Sequence, residues 1–182
     1  MKTILDNKRF AVFGLMGSGK TVLVRHILES TRNHIVYDPL NEYDGARRYV
    51  PDDRQSIGEL NKFVETLVIP TRPRLFIIDE ANRFIANRKP LPSGMADLND
   101  LSRHWDISWG VVARRPTQFA TDIVELAHYL FVFALHGKND RQYLNDLKTG
   151  LGDTVDALRP FQFAIVDEHR RVTVHAPLPF RE

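Results

Sequence analysis

The 182-residue sequence contains no cysteine. Disulfides, thiol nucleophiles and cysteine-based zinc sites are therefore excluded. Long apolar runs are also missing: nothing approaches the ~20 residues needed to cross a bilayer, and Met1-Lys2-Thr3-Ile4-Leu5-Asp6 lacks the apolar core of a secretory signal. The expectation is a cytoplasmic chain without an integral membrane segment. The seven histidines include no H-x-x-x-H or H-E-x-x-H pair, so no histidine metal site is legible. Charge of one sign is not in excess either; the formal net charge of +2 does not by itself imply a nucleic-acid partner.

What remains is an ordinary globular composition, 43% hydrophobic and 26% charged, in a length that suits one domain spanning 1–182. The basic residues fall in clusters: Arg47-Arg48, Arg72 to Arg74, Arg83 to Lys89, Arg114-Arg115 and Arg170-Arg171. Solvated surface loops would account for many of them.

One segment carries chemistry directly. Gly14-Leu15-Met16-Gly17-Ser18-Gly19-Lys20-Thr21 fits G-x-x-x-x-G-K-[ST] and lies between the strand-like run Phe10 to Phe13 and the helix-like run Lys20 to Ser30. Gly14, Gly17 and Gly19 permit backbone conformations closed to other residues, so amide N–H groups can approach phosphates closely. The helix start, through Val22, adds positive potential. Lys20 is placed to reach β- and γ-phosphates, and the Thr21 hydroxyl to ligate Mg²⁺. A nucleoside triphosphate is the expected ligand.

Apolar β-prone runs alternate with helical stretches, which predicts an α/β fold: a RecA/ASCE-like P-loop NTPase with a central, mostly parallel sheet flanked by helices. Further strands are expected at His34 to Tyr37, Arg74 to Asp79, Ile107 to Ala113 and Tyr129 to Leu135. Helices are expected at Ser56 to Val68, with Ile57, Leu60, Val64 and Leu67 on one face, and at Gly94 to His104, Asp122 to Ala127 and Asn139 to Lys148. The core is expected over 9–150. Beyond Pro160 the pattern becomes that of a terminal β-hairpin appended to it, over 160–176, with strands Phe161 to Val166 and Arg171 to His175. The stretch Ala86 to Gly94, with Pro90 and Pro92, reads as a loop.

Leu75-Phe76-Ile77-Ile78-Asp79-Glu80 ends a buried strand in two carboxylates. In a P-loop fold this strand runs beside the phosphate loop, its Asp79 holding Mg²⁺ through water and Glu80 orienting or deprotonating the attacking water. That pairing favours hydrolysis over transfer to an acceptor. Arg114, at the tip of the next strand, is a candidate γ-phosphate sensor, and Arg115 a candidate contact to a neighbour or to nucleic acid. The plain alternative is a turn with exposed arginines before Pro116.

Asp79-Glu80-Ala81-Asn82-Arg83-Phe84, then Ser102-Arg103-His104, then Ala113-Arg114-Arg115-Pro116-Thr117-Gln118, resembles the ordered motifs of the FtsK/HerA superfamily of ring-forming DNA-pumping ATPases. Val36-Tyr37-Asp38-Pro39 with Glu42-Tyr43 resembles their second strand and following turn. Arg114 stands where the family carries glutamine, and Asn82 where histidine is frequent. The chain resembles a bare ATPase core, without membrane helices, barrel or DNA-tracking domain. In that it is most similar to the genome-packaging ATPases of membrane-containing viruses and phages.

The resemblance implies an ATP- and Mg²⁺-dependent, sequence-independent double-stranded DNA translocase, acting as a pentamer or hexamer. Its place would be the host cytoplasm and a virion packaging vertex, with a capsid vertex or portal partner. An arginine supplied across the ring, Arg103 or Arg83, would complete each site, and Arg83, Arg88 and Lys89 would face DNA. ATP follows from the family, since no N/T-K-x-D guanine motif occurs. Three rivals are a filamentous-phage assembly or secretion ATPase, a small P-loop kinase and a non-catalytic nucleotide switch.

Overall fold

The computed structural model describes residues 5–85 and 89–179. Eight strands form one sheet: β1 Arg9–Phe13, β2 His34–Tyr37, β3 Arg48–Tyr49, β4 Leu75–Ile78, β5 Ser108–Ala113, β6 Tyr129–Phe133, β7 Phe163–Val166 and β8 Val172–His175. Their spatial order is β3-β2-β4-β5-β1-β6-β7-β8. The first six run parallel, while β7 and β8 are antiparallel to their neighbours.

The apolar runs form strands because both faces of the sheet are covered, which suits continuous rather than alternating hydrophobicity. Within β1 the period of two sorts side chains: Ala11 and Phe13 enter one core, Phe10 and Val12 the other. The second core is closed by α1, Lys20–Glu29, through Leu23, Val24, Ile27 and Leu28. The first is closed by α2 Ile57–Phe63 with its continuation, α4 Ser93–Leu101, α5 Thr121–Glu125, α6 Lys138–Leu147 and α7 Leu151–Asp156. Full burial of side chains such as Phe13, Ile35, Phe76 and Val111 contributes roughly 1.5–3 kcal/mol each.

Three departures from the sequence reading have physical causes. The helix expected at Ser56 to Val68 starts at a Ser56 cap, whose hydroxyl accepts from the Glu59 amide at 3.1 Å. It then widens into a π turn at Val64–Val68 before a short α3, Ile69–Thr71. Pro70 lacks an N–H and would press on the carbonyl one α-turn back; the wider turn relieves both problems. The extra residue shifts the buried stripe, so Val68 is buried where Leu67 was expected. The two-residue β3 and the short α7 carry too little periodicity to be legible. The C-terminal hairpin is also not merely appended, because β7 pairs with β6 over Phe133↔Phe163 to Leu130↔Val166 and extends the same sheet. Phe161 precedes β7 in a turn with φ 64°. In the sheet β5 runs between β4 and β1.

Candidate active site

The phosphate loop leaves the C-terminal end of β1, the central strand, and enters α1. Gly17 and Gly19 take φ values of 76° and 107°, where a Cβ is strained. Gly14 is needed for space instead: a Cβ there would lie 2.8 Å from the Phe133 Cβ and 2.5 Å from the Ser18 Oγ. The Gly14 amide donates to Ala113 O at 3.3 Å, tying the loop to the tip of β5. No acidic residue occupies the first turn of α1, which leaves its positive end to an anion. Leu15, Met16 and Ser18 complete the loop, and Met16 is 86% exposed.

Lys20 arches over this loop, its Nζ donating to Leu15 O at 3.0 Å. Burial pushes its pKa below the ordinary value, while the nearby Asp79 and Glu80 charges oppose that shift and Arg114 adds to it. An ammonium so placed gains from any anion bound in the cradle. The Thr21 hydroxyl, on the first turn of α1, donates to Glu42 Oε2 at 3.3 Å.

Asp79 follows β4, its amide donating to Tyr37 O at 3.0 Å. It is 4% exposed, and its pKa is raised to about 7, chiefly by burial. The Glu80, Glu42 and Asp38 charges contribute to this rise, and the Glu80 amide, which donates to Asp79 Oδ1 at 2.8 Å, opposes it. Asp38 is fully buried at the end of β2, where its carboxylate accepts from the Glu42 and Tyr43 amides at 3.0 and 2.9 Å. A buried carboxylate beside other acids is a chemistry that a divalent cation relieves, and the Thr21 hydroxyl sits on one of those acids, Glu42, so Thr21 and Asp79 fit Mg²⁺. Among the described residues no group of three or more His, Asp or Glu is arranged to hold a metal ion alone. The ion would need nucleotide oxygens as well.

Glu80 is 8% exposed and takes φ 46°, a left-handed conformation that costs about 1 kcal/mol. Two arginines hold its carboxylate. Arg83 Nε lies 3.4 Å from Oε2, and Arg114 Nε lies 3.3 Å from Oε2 and 3.4 Å from Oε1. The sensor candidate and one finger candidate therefore meet on the water-activating candidate of their own chain. Arg115 instead lies 3.7 Å from buried Asp140, which also accepts from the Thr117 hydroxyl at 2.7 Å and so secures the loop after β5.

The remaining candidates are elsewhere. Arg103 is exposed in the turn before β5, its carbonyl accepting from the Asn7 side chain at 3.2 Å. That is the opposite end of the sheet from the phosphate loop, near Arg9 and His128. Lys89 is exposed, and Arg88 lies outside the described residues.

Sequence reasoning missed the other wall of the site. A cleft of about 450 Å³ opens beside Gly17, Gly19, Lys20, Thr21 and Val22 and is closed by Phe133, Phe161, Phe163, Pro177 and Leu178. Phe133 and Phe163 face each other across the β6–β7 pair with ring centroids 5.3 Å apart. Leu178 folds back from beyond β8 onto the same core. No motif links these residues; only the run of aromatics at Phe161 and Phe163 offers a signal. Glu42 was visible only through resemblance.

No family model matches the chain, and no curated protein matches it by sequence. Solved structures do. The chain is similar to the DNA-packaging ATPase B204 of Sulfolobus turreted icosahedral virus, with TM-score 0.83, 18% identity and coverage of 96% of this chain and 100% of that one. It is also similar to the genome packaging NTPase B204 of Sulfolobus turreted icosahedral virus 2 in complex with ATPγS, with TM-score 0.82, 15% identity and coverage of 95% and 98%. The N-terminal domain of zonular occludens toxin from Neisseria meningitidis matches less closely, with TM-score 0.60, 13% identity and coverage of 94% and 95%. Among the described residues no helix is long and apolar enough to cross a membrane. The chain thus has the P-loop NTPase fold that the viral genome-packaging NTPases have.

Proposed function

We propose that this chain is a Mg²⁺-dependent ATPase that drives double-stranded DNA into a viral capsid as one subunit of a five- or six-membered ring. The observation that carries the reading is the convergence of Lys20, Asp79, Glu80 and Arg114, from the ends of β1, β4 and β5, on one edge of the sheet. The likeness in fold to packaging NTPases over almost the whole of both chains supports it.

Gly14 to Val22 bind the phosphates through amides and the α1 dipole, with Lys20 as counter-charge. Thr21 and Asp79 would hold Mg²⁺, which when bound neutralises charge on the phosphate oxygens. Glu80 accepts a proton from water as that water's oxygen bonds the γ-phosphorus and the bond to the β,γ-bridging oxygen breaks, releasing ADP and phosphate. Arg114, on the tip of β5 beside Lys20, reports the γ-phosphate to Glu80. Because Arg83 is engaged by its own chain's Glu80, Arg103 is the better candidate for an arginine supplied to a neighbouring subunit. Sequence-independent phosphate contacts of the DNA fall to the 83–94 segment, with Arg88 and Lys89 ahead of Arg83, which Glu80 engages. The motor works in the host cytoplasm and at the packaging vertex of the virion, against a portal or vertex protein.

Hydrolysis of ATP without an acceptor, stimulated by double-stranded DNA, tests the reading. A kinase would be nearly silent in this assay. Glu80→Gln should lower turnover about a thousandfold while nucleotide binding persists; retained hydrolysis would remove Glu80 from its role.

A further inference from the structure

The cleft beside the phosphate loop has two chemically different ends. Its lining divides by chemistry into the anion cradle with Lys20 and Thr21 and an apolar set, Val22, Phe133, Phe161, Phe163, Pro177 and Leu178, of which Phe133 and Phe161 abut the cradle at Gly19. An amphipathic ligand with a polyanionic end and a flat apolar end fits such a cleft, whose volume of about 450 Å³ lies in the range of small-ligand sites. Phe161 adds an independent observation. Its backbone is left-handed at φ 64°, unusual for a bulky residue, and its side chain is 56% exposed. That conformation holds the ring against the loop: a Cβ on Gly19 would lie 3.6 Å from Phe161 Cδ1. Folding alone gives no reason to keep an aromatic ring half in water on a strained turn.

We propose that this apolar end is the nucleobase site of the hydrolase described above, that it seats a purine ring by stacking on Phe161, and that it accepts guanine as readily as adenine. The inference rests on the nucleotide-hydrolase reading and extends it to the base. Adenine and guanine differ in the hydrogen-bonding groups of their edges. Strong discrimination between such bases needs side-chain donors or acceptors placed at that edge, and an apolar wall rejects a changed polar group only weakly. Among the described residues, Lys20 and Thr21 are the lining side chains with hydrogen-bonding heads, and both belong to the phosphate loop and its helix. Stacking itself is tolerant of base identity and scales with ring area, so purines outrank pyrimidines.

The test is equilibrium binding of three probes to the intact chain: AMPPNP, GMPPNP and inorganic tripolyphosphate, all with Mg²⁺. The two nucleotides should bind within about threefold of each other, and both more tightly than tripolyphosphate. Phe161→Ala retains a Cβ, and hence the backbone strain, while removing the ring. It should weaken both nucleotides about tenfold and leave tripolyphosphate unchanged; Phe161→Trp should restore them. A preference for one purine above about a hundredfold overturns the proposal. So does a Phe161→Ala variant that binds nucleotides as the parent does, or that loses tripolyphosphate equally. Tripolyphosphate bound as tightly as the nucleotides refutes the base site alone. Failure of all three probes to bind refutes the nucleotide reading, and the base site with it.

Discussion

The two flanks of the phosphate loop are built on opposite plans. Toward β4 and β5 the loop faces charge: Asp38, Glu42, Asp79 and Glu80 packed against Lys20, Arg83 and Arg114. Toward β6 and β7 it faces rings and aliphatic carbon, supplied by Phe133, Phe161, Phe163 and Leu178. On the proposed function the charged flank performs chemistry at the γ-phosphate and tolerates little change of residue type, since charge, reach and protonation are all specified. The apolar flank need only offer area and shape, which many residues supply. Most residues of the first are therefore tied to recognisable motifs, and those of the second are not.

The largest effect expected from separating the flanks is at Lys20. Lys20→Ala removes a charge-assisted contact to phosphate and should weaken AMPPNP and tripolyphosphate alike, each by about a hundredfold. Titration calorimetry with both probes checks this. A loss confined to the nucleotide would mean that Lys20 serves the base end, and the division of the site would fail.

Next come the arginines on Glu80. Arg114→Ala should lower single-turnover hydrolysis about tenfold to a hundredfold with ADP affinity unchanged, because the γ-phosphate is the group it answers to. Arg114→Lys should not restore the rate, since a lysine cannot keep one N–H on Glu80, as Arg114 Nε does, while a second nitrogen of the same planar group points toward the γ-phosphate. Arg83→Ala should cost less, as Arg83 touches one oxygen of that carboxylate. If Arg83→Ala instead abolishes hydrolysis in all-variant rings and Glu80→Gln subunits restore it in mixed rings, Arg83 acts across the boundary and Arg103 does not.

Legibility in the sequence follows the same division. Gly14 to Thr21 and Leu75 to Glu80 could be read because phosphate and metal chemistry fix both residue type and spacing on a strand end. The strands themselves could be read because two-sided burial demands unbroken apolar runs, as in Phe76-Ile77-Ile78. Glu42 had no motif of its own; its part depends on Asp38 capping the turn that carries it to Thr21. The pairing of Arg83 with Glu80 was hidden as well. It arises from the left-handed turn at Glu80, which a residue other than glycine does not advertise. The apolar cleft was least visible, since it needs β7 to join β6 and the 176–179 segment to fold back, and both are products of packing.

The smallest expected effect tests the division most directly. Leu178 packs on the core from beyond β8, and Leu178→Ala should weaken AMPPNP only about threefold. What matters is how substitutions combine. Phe161 and Leu178 wall the same end of the cleft, so the double variant should lose less affinity than the product of the single losses: once the ring is gone, a base has less to be pressed against. Lys20 and Phe161 act on different ends of the ligand, and their losses should multiply, as they do for sites without a shared partner. Coupling between Lys20 and Phe161 as strong as that between Phe161 and Leu178 would mean that the cleft closes as one unit. The two flanks would then be a single induced-fit surface, and the independence inferred from their chemistry would be lost.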